Sequence, residues 1–351
     1  MKTCLKKLQP KILFFWEGFP PCGLLLIEIK NKFGDNLTIL ATKAKVNFPD
    51  FEIRYPNLKI YWLDNPNQIW ELRNSFSDFD IIVHTGWSHP GWFKYSKWMK
   101  NTNKSKLFFT ADNIYTGSIR QFLGAIYFRF FLRKLYDAVF VPGNASTKYL
   151  NFLGMPNNRI FCGYYGAFEQ IYYSNITIND RKNEFLFVGQ LIERKGLDIL
   201  VNAFKLYRKN GGIWNLRISG SGPLEYLCVG DGIIFDNFLD PIACATKMRN
   251  SKCLILPSRD EHWGTVVCEA AASGMLLLLS TKVGSSEDIL RNGINGYFFQ
   301  SASELDLSKK MELISSWDKS RYLNASNVSI SISKSFDSKS FFNGFLSMIE
   351  I

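Results

Sequence analysis

Short apolar runs of strand length recur along the chain, and many of them are separated by stretches long enough for a helix. The candidate strands of the first half are Ile12–Trp16, Leu37–Ala41, Ile60–Leu63, Ile81–His84, Leu107–Thr110 and Ala138–Val141. Those of the second half are Phe185–Val188, Leu216–Ser219, Ile233–Phe235, Cys253–Leu256 and Met275–Leu279. Alternating strands and helices are typical of parallel sheets, and the fully apolar last run fits a sheet buried on both faces. The sequence therefore predicts an α/β protein.

The chain is long for a single domain. Its 351 residues are typical of two domains, and a hydrophobic content of 46% can fill two cores. The polar segment Ser174–Arg181 lacks periodicity, which favours a linker. We therefore expect a first domain over residues 1–173 and a second over residues 182–330. The chain end, residues 331–351, has the apolar spacing of an amphipathic helix.

The cysteines and the chain start indicate a cytoplasmic protein. The seven cysteines form no C-x-x-C pair, and their odd number with several in apolar strands favours reduced thiols. The basic start Met1–Lys7 is followed by an apolar run, Ile12–Trp16, that is too short for a signal peptide. No apolar stretch approaches the ~18 residues of a membrane span.

The positive charge is concentrated in the first half of the chain. The formal net charge is +11, and residues 1–170 hold 22 Lys/Arg against 12 Asp/Glu, whereas residues 171–351 hold 20 against 19. A solvated basic surface would explain this surplus. The alternative is attraction to an anionic partner, either a membrane surface or a nucleic acid. No nucleic-acid motif accompanies the charge, so we expect no nucleic acid.

Two basic segments also contain many aromatic residues. The first has Lys94, Lys97 and Lys100 among five aromatic residues and a methionine: Trp87, Trp92, Phe93, Tyr95, Trp98 and Met99. The second is Ile119–Leu135, in which phenylalanines alternate with arginines. Aromatic and basic residues on one face suit the headgroup level of an anionic bilayer. The alternative is that the aromatic residues belong to the core.

The segment Ser258–Glu269 places two carboxylates, Glu261 and Glu269, where an apolar strand runs into a helix. Acidic residues are rarely left at such a junction without a partner. Open α/β sheets bind ligands where their strands end, and the start of a helix attracts anions. Two acids beside the start of a helix suit a ligand that carries both hydroxyls and phosphate. A nucleotide sugar has both.

This arrangement resembles the E-x7-E signature of retaining glycosyltransferases of family 4, the group 1 glycosyl transferases, which have the GT-B fold. Further segments are similar to those of the family and occur in the family's order: Phe187–Leu191, Arg194–Asp198, Leu216–Pro223, Leu256–Ser258 and Val283–Tyr297. The resemblance implies two Rossmann-like, doubly wound parallel-sheet domains facing a cleft. It also implies that the last helix crosses back to the first domain.

The resemblance assigns the donor diphosphate to cations of the second domain. Lys195 and Arg194 would offset the charge that builds on the departing nucleoside diphosphate. The family's frequent arginine directly after the glycine turn is Gln190 here, following Gly189, so the charge falls to Arg194 or Lys195. A lysine at the start of a helix can also simply face solvent.

The two acids take the hydroxyls of the donor by the same resemblance. Glu269 would accept hydrogen bonds from the ribose, and Glu261 from the transferred sugar, because a carboxylate can accept two O–H donors at once. Glu269 could instead complement the helix dipole. The remaining donor-binding residues implied are Gly189, Gln190, Gly220, Gly222, Gly264, Thr265 and Val266.

The acceptor side would lie in the first domain. His84 ends an apolar strand, and relatives often have a catalytic histidine at such a strand end. A second histidine is expected near Phe108–Asp112 and is absent, which leaves Asp112 as the nearest polar substitute. Trp87, in the loop after His84, is a further candidate for contact with the acceptor.

The resemblance implies a retaining hexosyltransferase that uses a UDP- or GDP-sugar. Its acceptor would be a lipid-linked oligosaccharide or a lipopolysaccharide- or O-antigen-type glycan, at the inner face of the cell membrane, in polysaccharide biosynthesis. No cofactor is expected, because no cluster of residues has metal-ligand spacing. Two alternatives stay open. One is a non-catalytic GT-B-like protein that binds a nucleotide sugar or a partner. The other is a nucleotide-sugar epimerase, which the ordered segments disfavour.

Overall fold

The structure, a computed structural model, describes residues 9–19, 25–43, 57–87 and 89–351. The basic start Met1–Lys7 lies outside the described residues. The strands are β1 Ile12–Phe19, β2 Leu37–Lys43, β3 Ile60–Leu63, β4 Ile81–Thr85, β5 Lys106–Thr110, β6 Ala138–Val141, β7 Ile160–Cys162, β8 Lys182–Val188, β9 Asn215–Ser219, β10 Ile233–Asp236, β11 Ser251–Leu256, β12 Leu276–Ser280 and β13 Gly296–Phe299.

Helices connect most of these strands. They are α1 Leu26–Phe33, α2 Gln68–Glu71, α3 Pro90–Asn103, α4 Ile119–Tyr127, α5 Asn144–Leu153, α6 Glu169–Tyr172, α7 Leu197–Lys209, α8 Pro241–Asn250, α9 Thr265–Ala272, α10 Ser286–Ile289, α11 Glu304–Ser315, α12 Lys319–Ser333 and α13 Ser338–Ile349. A π-helical turn, Phe128–Leu132, continues α4 directly. The predicted linker contains the short 3-10 turn Ile178–Asp180.

The chain forms two compact units, each built on one parallel sheet. The first unit comprises residues 1–142, 146–164 and 341–351, and the second comprises residues 143–145 and 165–340. The first sheet has the strand order β3-β2-β1-β4-β5-β6-β7, and the second has the order β10-β9-β8-β11-β12-β13. All strand pairs run parallel. The predicted α/β class with two doubly wound parallel sheets is confirmed.

Each sheet has a point where the order of its strands reverses. In the first unit the chain moves outward from β1 through β2 to β3 and then returns to the other side of β1 as β4. In the second unit it moves from β8 through β9 to β10 and returns beside β8 as β11. The loops that leave the two central strands at such a point diverge and open a crevice for a ligand. The expected ligand positions are therefore the exits of β1 and β4 and those of β8 and β11.

The two aromatic segments of the first unit differ in their burial. In α3, Trp92, Tyr95 and Met99 are fully buried and pack in the core against the sheet, so for them the membrane interpretation is wrong. The helix α4 and its π-helical turn instead leave a row of large apolar side chains exposed to solvent. The two segments differ because few residues of the second one point toward the core: within Ile119–Leu135, only Ala125, Phe128 and Leu132 are buried.

The last helix, α13, contributes to the core of the first unit. The Phe345 ring stacks on that of Phe14 in β1, with 6.1 Å between ring centroids. The Phe341 ring meets that of Phe140 in β6 at 5.3 Å. Gly344 lets the helix approach the backbone of β7 closely, because a Cβ there would lie 2.3 Å from the Cys162 carbonyl oxygen. Helix α13 thus completes the core of the unit that contains β1.

Membrane-spanning helices are absent from the described part of the chain. Throughout residues 9–19, 25–43, 57–87 and 89–351, every helix is too short or too polar to cross a bilayer. Among the cysteines in those ranges, Cys162 is exposed and four are buried as free thiols. Burial raises the pKa of Cys228 to about 11, so that thiol is inert at neutral pH.

Candidate functional site

The glycine turn after β8 contacts the glycine turn after β9. The Gly189 N–H donates to the Ser219 carbonyl oxygen at 3.1 Å, and the Leu191 N–H donates to that of Ser221 at 2.9 Å. A Cβ on Gly220 would lie 1.9 Å from the Gly189 carbonyl oxygen, so only glycine fits there. Gly222 is similarly close to the Leu191 carbonyl, at 2.6 Å. The predicted glycines therefore hold two adjacent loops together at the exits of β8 and β9.

A second close approach joins the exits of β8 and β11. Gly196 has a φ of +70° at the start of α7, and a Cβ there would lie 2.2 Å from the Pro257 carbonyl oxygen. Only glycine accepts this combination of left-handed backbone and close contact. The preceding residues, Arg194 and Lys195, are thereby placed against the loop that contains Glu261.

Lys195 and Glu261 form the charged centre of the site. The Lys195 ammonium donates to Oε2 of Glu261, and the two side chains are only 13% and 11% exposed. The Ser258 hydroxyl lies 3.3 Å from the same carboxylate oxygen. The Arg194 guanidinium is 3.6 Å from it and also donates to the Asp260 carbonyl at 2.8 Å. Two cations therefore converge on one carboxylate at the strand-order reversal of the second sheet.

The backbone of Glu261 is fixed from both sides. Its N–H donates to the Lys282 carbonyl oxygen at 3.1 Å, and its own carbonyl accepts from the Gly284 N–H at 2.9 Å. Glu261 also forms an isolated parallel bridge with Val283. A Cβ on Gly284 would lie 1.8 Å from the His262 carbonyl oxygen, which explains the glycine at that position. The loop after β12 thus locks the carboxylate in place.

The helix α9 begins beside Glu261. Gly264 precedes its first residue with a φ of +84°, and a Cβ on Gly264 would lie 3.2 Å from Cγ of Glu261. Thr265 and Val266 form the first turn, whose N–H groups are directed toward the helix start and carry the positive end of the helix dipole. This end of α9 favours a negative charge on a ligand next to Glu261.

Glu269 lies further along α9 and is half-buried. Loss of hydration raises the pKa of Glu269 to about 7, and a hydrogen bond with Tyr172 acts in the opposite direction. An acidic side chain whose ionisation is unfavourable inside the fold is a candidate for a ligand contact. Gln190 is exposed after the Gly189 turn. The structure thus brings Arg194, Lys195, Glu261 and Gly264 together and leaves Gln190 facing solvent.

His84, the predicted catalytic histidine, lies inside the first core. Its ring is 1% exposed and packs 5.3 Å from the Tyr136 ring and 6.0 Å from the Trp92 ring, measured between centroids. Nδ1 lies 2.8 Å from the Gly86 carbonyl oxygen. Burial lowers the pKa of His84 to about 4, so the ring is neutral at physiological pH. The strand continues to Thr85, so His84 lies within the strand and not at its end.

The sequence analysis placed His84 at the end of a strand, but the histidine that follows the end of β4 is His89. It follows β4 directly before α3, and its Nε2 donates to Oε2 of Glu17 at 2.7 Å. Glu17 follows the apolar part of β1, and its N–H donates to the Thr85 hydroxyl at 3.0 Å. This pair lies where the strand order of the first sheet reverses. The only sequence signal was a second histidine a few residues after a strand.

The other acceptor-side candidates lie near the same edge. The Trp87 ring meets the Phe128 ring of the π-helical turn at 5.7 Å, edge to face. A Cβ on Gly124 of α4 would lie 3.6 Å from the Trp87 ring. Asp112 is half-buried two residues after the end of β5. Trp87 thus connects the loop after β4 to the exposed helix α4.

In the part of the chain that the structure describes, no three His, Cys, Asp or Glu side chains converge to form a possible metal site. The sequence does contain one D-x-D triplet, Asp78-Phe79-Asp80, which the sequence analysis missed. The Lys11 ammonium donates to Asp78, and the Lys11 N–H donates to Asp80 at 2.8 Å. Both acids precede β4, at the edge of the sheet opposite the strand exits, so this triplet joins two strand starts.

The sequence of the second unit matches a known family. Residues 170–325 match the family model described as Glycosyl transferases group 1. An uncharacterised glycosyltransferase of Methanocaldococcus jannaschii is 30% identical over 168 residues, which are 45% of this chain and 44% of that protein. The chain therefore matches less than half the length of this curated relative.

Solved structures resemble the protein over nearly its whole length. Anabaena HepE in complex with UDP and glucose has a TM-score of 0.76 at 14% identity, covering 97% of this chain and all of that one. The apo form of the lipopolysaccharide outer core galactosyltransferase WaaB has a TM-score of 0.69 at 15% identity, covering 96% and 98%. At such identities the likeness establishes the fold, and it confirms the predicted GT-B architecture. The chain thus matches the Glycosyl transferases group 1 model over residues 170–325 and has a GT-B fold.

Proposed function

We propose that the protein is a retaining glycosyltransferase. It moves a hexose from a UDP- or GDP-sugar to a lipid-linked oligosaccharide or a lipopolysaccharide-type acceptor at the cytoplasmic face of the cell membrane. The observation that carries this proposal is the convergence of Lys195 and Arg194 on Glu261 beside the start of α9. Two cations and a helix start suit a diphosphate, and a fixed carboxylate suits sugar hydroxyls.

Each charged group has a defined task in the proposed reaction. The bond between the anomeric carbon and the diphosphate oxygen breaks, and its electron pair stays on the diphosphate. Lys195, Arg194 and the start of α9 stabilise that charge. Glu261 holds the hydroxyls of the hexose, and Glu269 holds those of the ribose. The acceptor hydroxyl oxygen forms the new bond to the anomeric carbon, and its proton passes to the departing diphosphate oxygen. The anomeric configuration is retained, as in the family that the sequence resembles.

The UDP in the Anabaena HepE structure and the substrate class in the WaaB name support the choice of donor and acceptor. The first unit would hold the acceptor at the exits of β1 and β4, where Glu17 and His89 form their hydrogen bond. We expect no metal cofactor, because Lys195, Arg194 and the start of α9 supply the positive charge that a diphosphate needs.

The direct test is transfer of labelled sugar from a panel of UDP- and GDP-sugars to membrane extracts, with and without EDTA. We expect one donor to label a lipid fraction, EDTA to leave the rate unchanged, and the product to keep the donor's anomeric configuration. Donor binding without any transfer would contradict the enzyme assignment and favour a binding protein. Release of an epimerised nucleotide sugar would contradict it in favour of an epimerase. Strict dependence on Mn²⁺ or Mg²⁺ would overturn the metal-free assignment.

Lys195→Ala should reduce turnover by roughly 10²–10³-fold, the scale of losing one preorganised electrostatic contact to the leaving group. Arg194→Ala should be milder, because its guanidinium is 44% exposed and lies farther from Glu261. The matched control is Lys205→Ala, an exposed lysine of α7. Steady-state kinetics on folded protein provides the measurement. Equal turnover for Lys195→Ala and Lys205→Ala would remove Lys195 from the donor site.

Glu261→Gln should change the binding of UDP and of UDP-sugar in opposite directions. Without donor, Glu261 holds the Lys195 ammonium, so a diphosphate must compete with it for the same cation. The amide removes that competition and also weakens the contact with the sugar hydroxyls. UDP should therefore bind more tightly and UDP-sugar more weakly, each by about tenfold, the scale of one charge-assisted hydrogen bond.

Isothermal titration of both ligands measures this change, with Glu287→Gln on α10 as the control carboxylate. If Glu261→Gln weakened both ligands equally, Glu261 would have only a structural role. If it changed neither, the ion pair would lie outside the donor site.

Glu269→Gln should change how the stability depends on pH. The pKa of Glu269 is raised to about 7 from an ordinary value of 4.5, so between these pH values the native protein binds more protons than the unfolded chain. The wild-type protein therefore loses stability as pH rises through this window. The variant lacks this loss, so from pH 5 to pH 8 its free energy of unfolding should rise relative to the wild type by up to about 3 kcal/mol.

The same substitution should weaken the binding of UDP-glucose above pH 7, where the wild-type carboxylate can accept the ribose hydroxyls. Wild-type affinity should fall as pH drops below 7, while the affinity of the variant stays flat. Thermal unfolding and titration across the pH range measure the two effects. A wild-type protein whose stability and affinity both follow those of the variant at every pH would refute the raised pKa.

A further inference from the structure

A continuous row of apolar side chains on α4 and its π-helical turn faces solvent. Its members are Ile119, Phe122, Leu123, Ile126, Tyr127, Phe130 and Phe131. They recur at steps of three and four residues, so they share one face of the helix. Ile119, Phe130 and Phe131 are 80%, 76% and 66% exposed. Monomeric soluble proteins rarely expose so many large apolar side chains together, and such a patch marks an interaction site.

The opposite face of the same segment anchors it to the first unit. Ala125, Phe128 and Leu132 are buried in the core. The Gln121 side chain donates to the Ile114 carbonyl at 2.7 Å, and Ser118 caps the helix by accepting from the Gln121 N–H. The helix is therefore held in place with its apolar face outward. A helix that is apolar on both faces is normally buried all round.

The charged residues within this segment are all of one sign. Four basic residues in the segment are exposed: Arg120, Arg129, Arg133 and Lys134. The sequence has no Asp or Glu between Asp112 and Asp137. An apolar face on a segment whose charged residues are all basic is complementary to an anionic lipid surface, because the aromatic rings enter the boundary of headgroups and chains while the cations meet the headgroups.

The length of the segment favours a position in the plane of the membrane. Ile119–Leu132 has 14 residues, and at 1.5 Å per residue it is about 21 Å long, short of the ~30 Å hydrocarbon core. Its buried inner face also ties it to the sheet. The segment can therefore lie on a bilayer but cannot cross it.

The lysines of α3 are less suited to the same task. Lys100 donates to the Leu135 carbonyl and pairs with Asp137 at 3.1 Å, so its charge is already used within the fold. The Lys94 ammonium lies 3.9 Å from the centre of the Trp70 ring. Between these lysines, Tyr95 is buried and Trp98 is half-buried.

We propose that the outward face of Ile119–Lys134 inserts into an anionic membrane surface and serves as the membrane anchor of the protein. This inference deepens the proposed function, on which its biological meaning rests. Trp87, in the loop after β4, packs against Phe128 at the back of the anchor. The anchor therefore fixes the predicted acceptor edge of the first unit close to the lipid surface, where a lipid-linked acceptor resides.

The test uses the full-length protein and vesicles of phosphatidylcholine, either alone or mixed with phosphatidylglycerol. In cosedimentation, the wild-type protein should bind the anionic vesicles and should bind them more weakly as salt rises, because exposed charges are screened. Phe130→Ser/Phe131→Ser should reduce this binding by about tenfold or more, since it removes two large apolar side chains from the lipid. A second variant, Ile119→Ser/Leu123→Ser, should act in the same direction.

Two matched controls separate the anchor from general surface effects. Ile213→Ser/Tyr226→Ser removes two similarly exposed apolar side chains from the second unit and should leave vesicle binding unchanged. Arg133→Glu/Lys134→Glu should remove most of the salt dependence, whereas Lys205→Glu/Lys209→Glu on α7 should not. Unchanged melting temperature and UDP-glucose affinity verify that each variant is folded.

Three results would overturn the inference. The wild-type protein could fail to bind anionic vesicles at low salt, or the anchor variants could bind them as the wild type does. The protein could also be a dimer in light scattering that Phe130→Ser/Phe131→Ser makes monomeric, which would assign the face to a second copy of the chain. The proposed function fails separately: vesicle binding that depends on the anchor, together with no sugar transfer from any donor, would keep the anchor and remove the enzyme.

Discussion

The reversal of strand order between two central parallel strands determines where each sheet offers a crevice for a ligand. In the second sheet, the loops that leave β8 and β11 pass so closely that Gly196 has room only for a hydrogen against the Pro257 carbonyl. That contact brings Lys195 from one loop onto Glu261 from the other. In the first sheet, the equivalent exits bring Glu17 and His89 together. Both clusters draw their members from distant parts of the sequence, and the parallel topology accounts for this.

Glu261 offsets only part of the positive charge in the second cluster. Its carboxylate accepts from the Lys195 ammonium and lies near the Arg194 guanidinium, so two cations face one carboxylate. A diphosphate alone would have to replace this internal partner. In the proposed reaction, a nucleotide sugar would offer the carboxylate new hydrogen-bond donors, because its hexose hydroxyls would bind Glu261 in place of Lys195. The ion pair would thereby favour the complete donor over UDP alone.

The sequence was sufficient where the physical signal is local. Buried parallel strands are continuous apolar runs, so the sequence predicts eleven strands, among them Cys253–Leu256 and Met275–Leu279, which the structure has as Ser251–Leu256 and Leu276–Ser280. The short outer strand β13 has half-buried residues and no such run, and it was missed as a strand. His84 is buried because the strand extends one residue beyond it. His89 pairs with Glu17, which lies 72 positions away in the sequence, and no local pattern contains such a contact. The inward or outward direction of the aromatic residues in α3 and α4 was likewise decided by tertiary packing.

Because helix α13 packs in the first unit, it limits where the protein can be truncated or fused to another protein. The first unit is discontinuous, because residues 341–351 belong to it although the second unit intervenes. A fragment that stops after β7 would leave the rings of Phe14 and Phe140 without their partners on α13. A chain that stops before Phe341 would therefore leave the core of the first unit incomplete. The first unit can close its core only after residues 341–351 have been synthesised, and the second unit precedes these residues in the sequence.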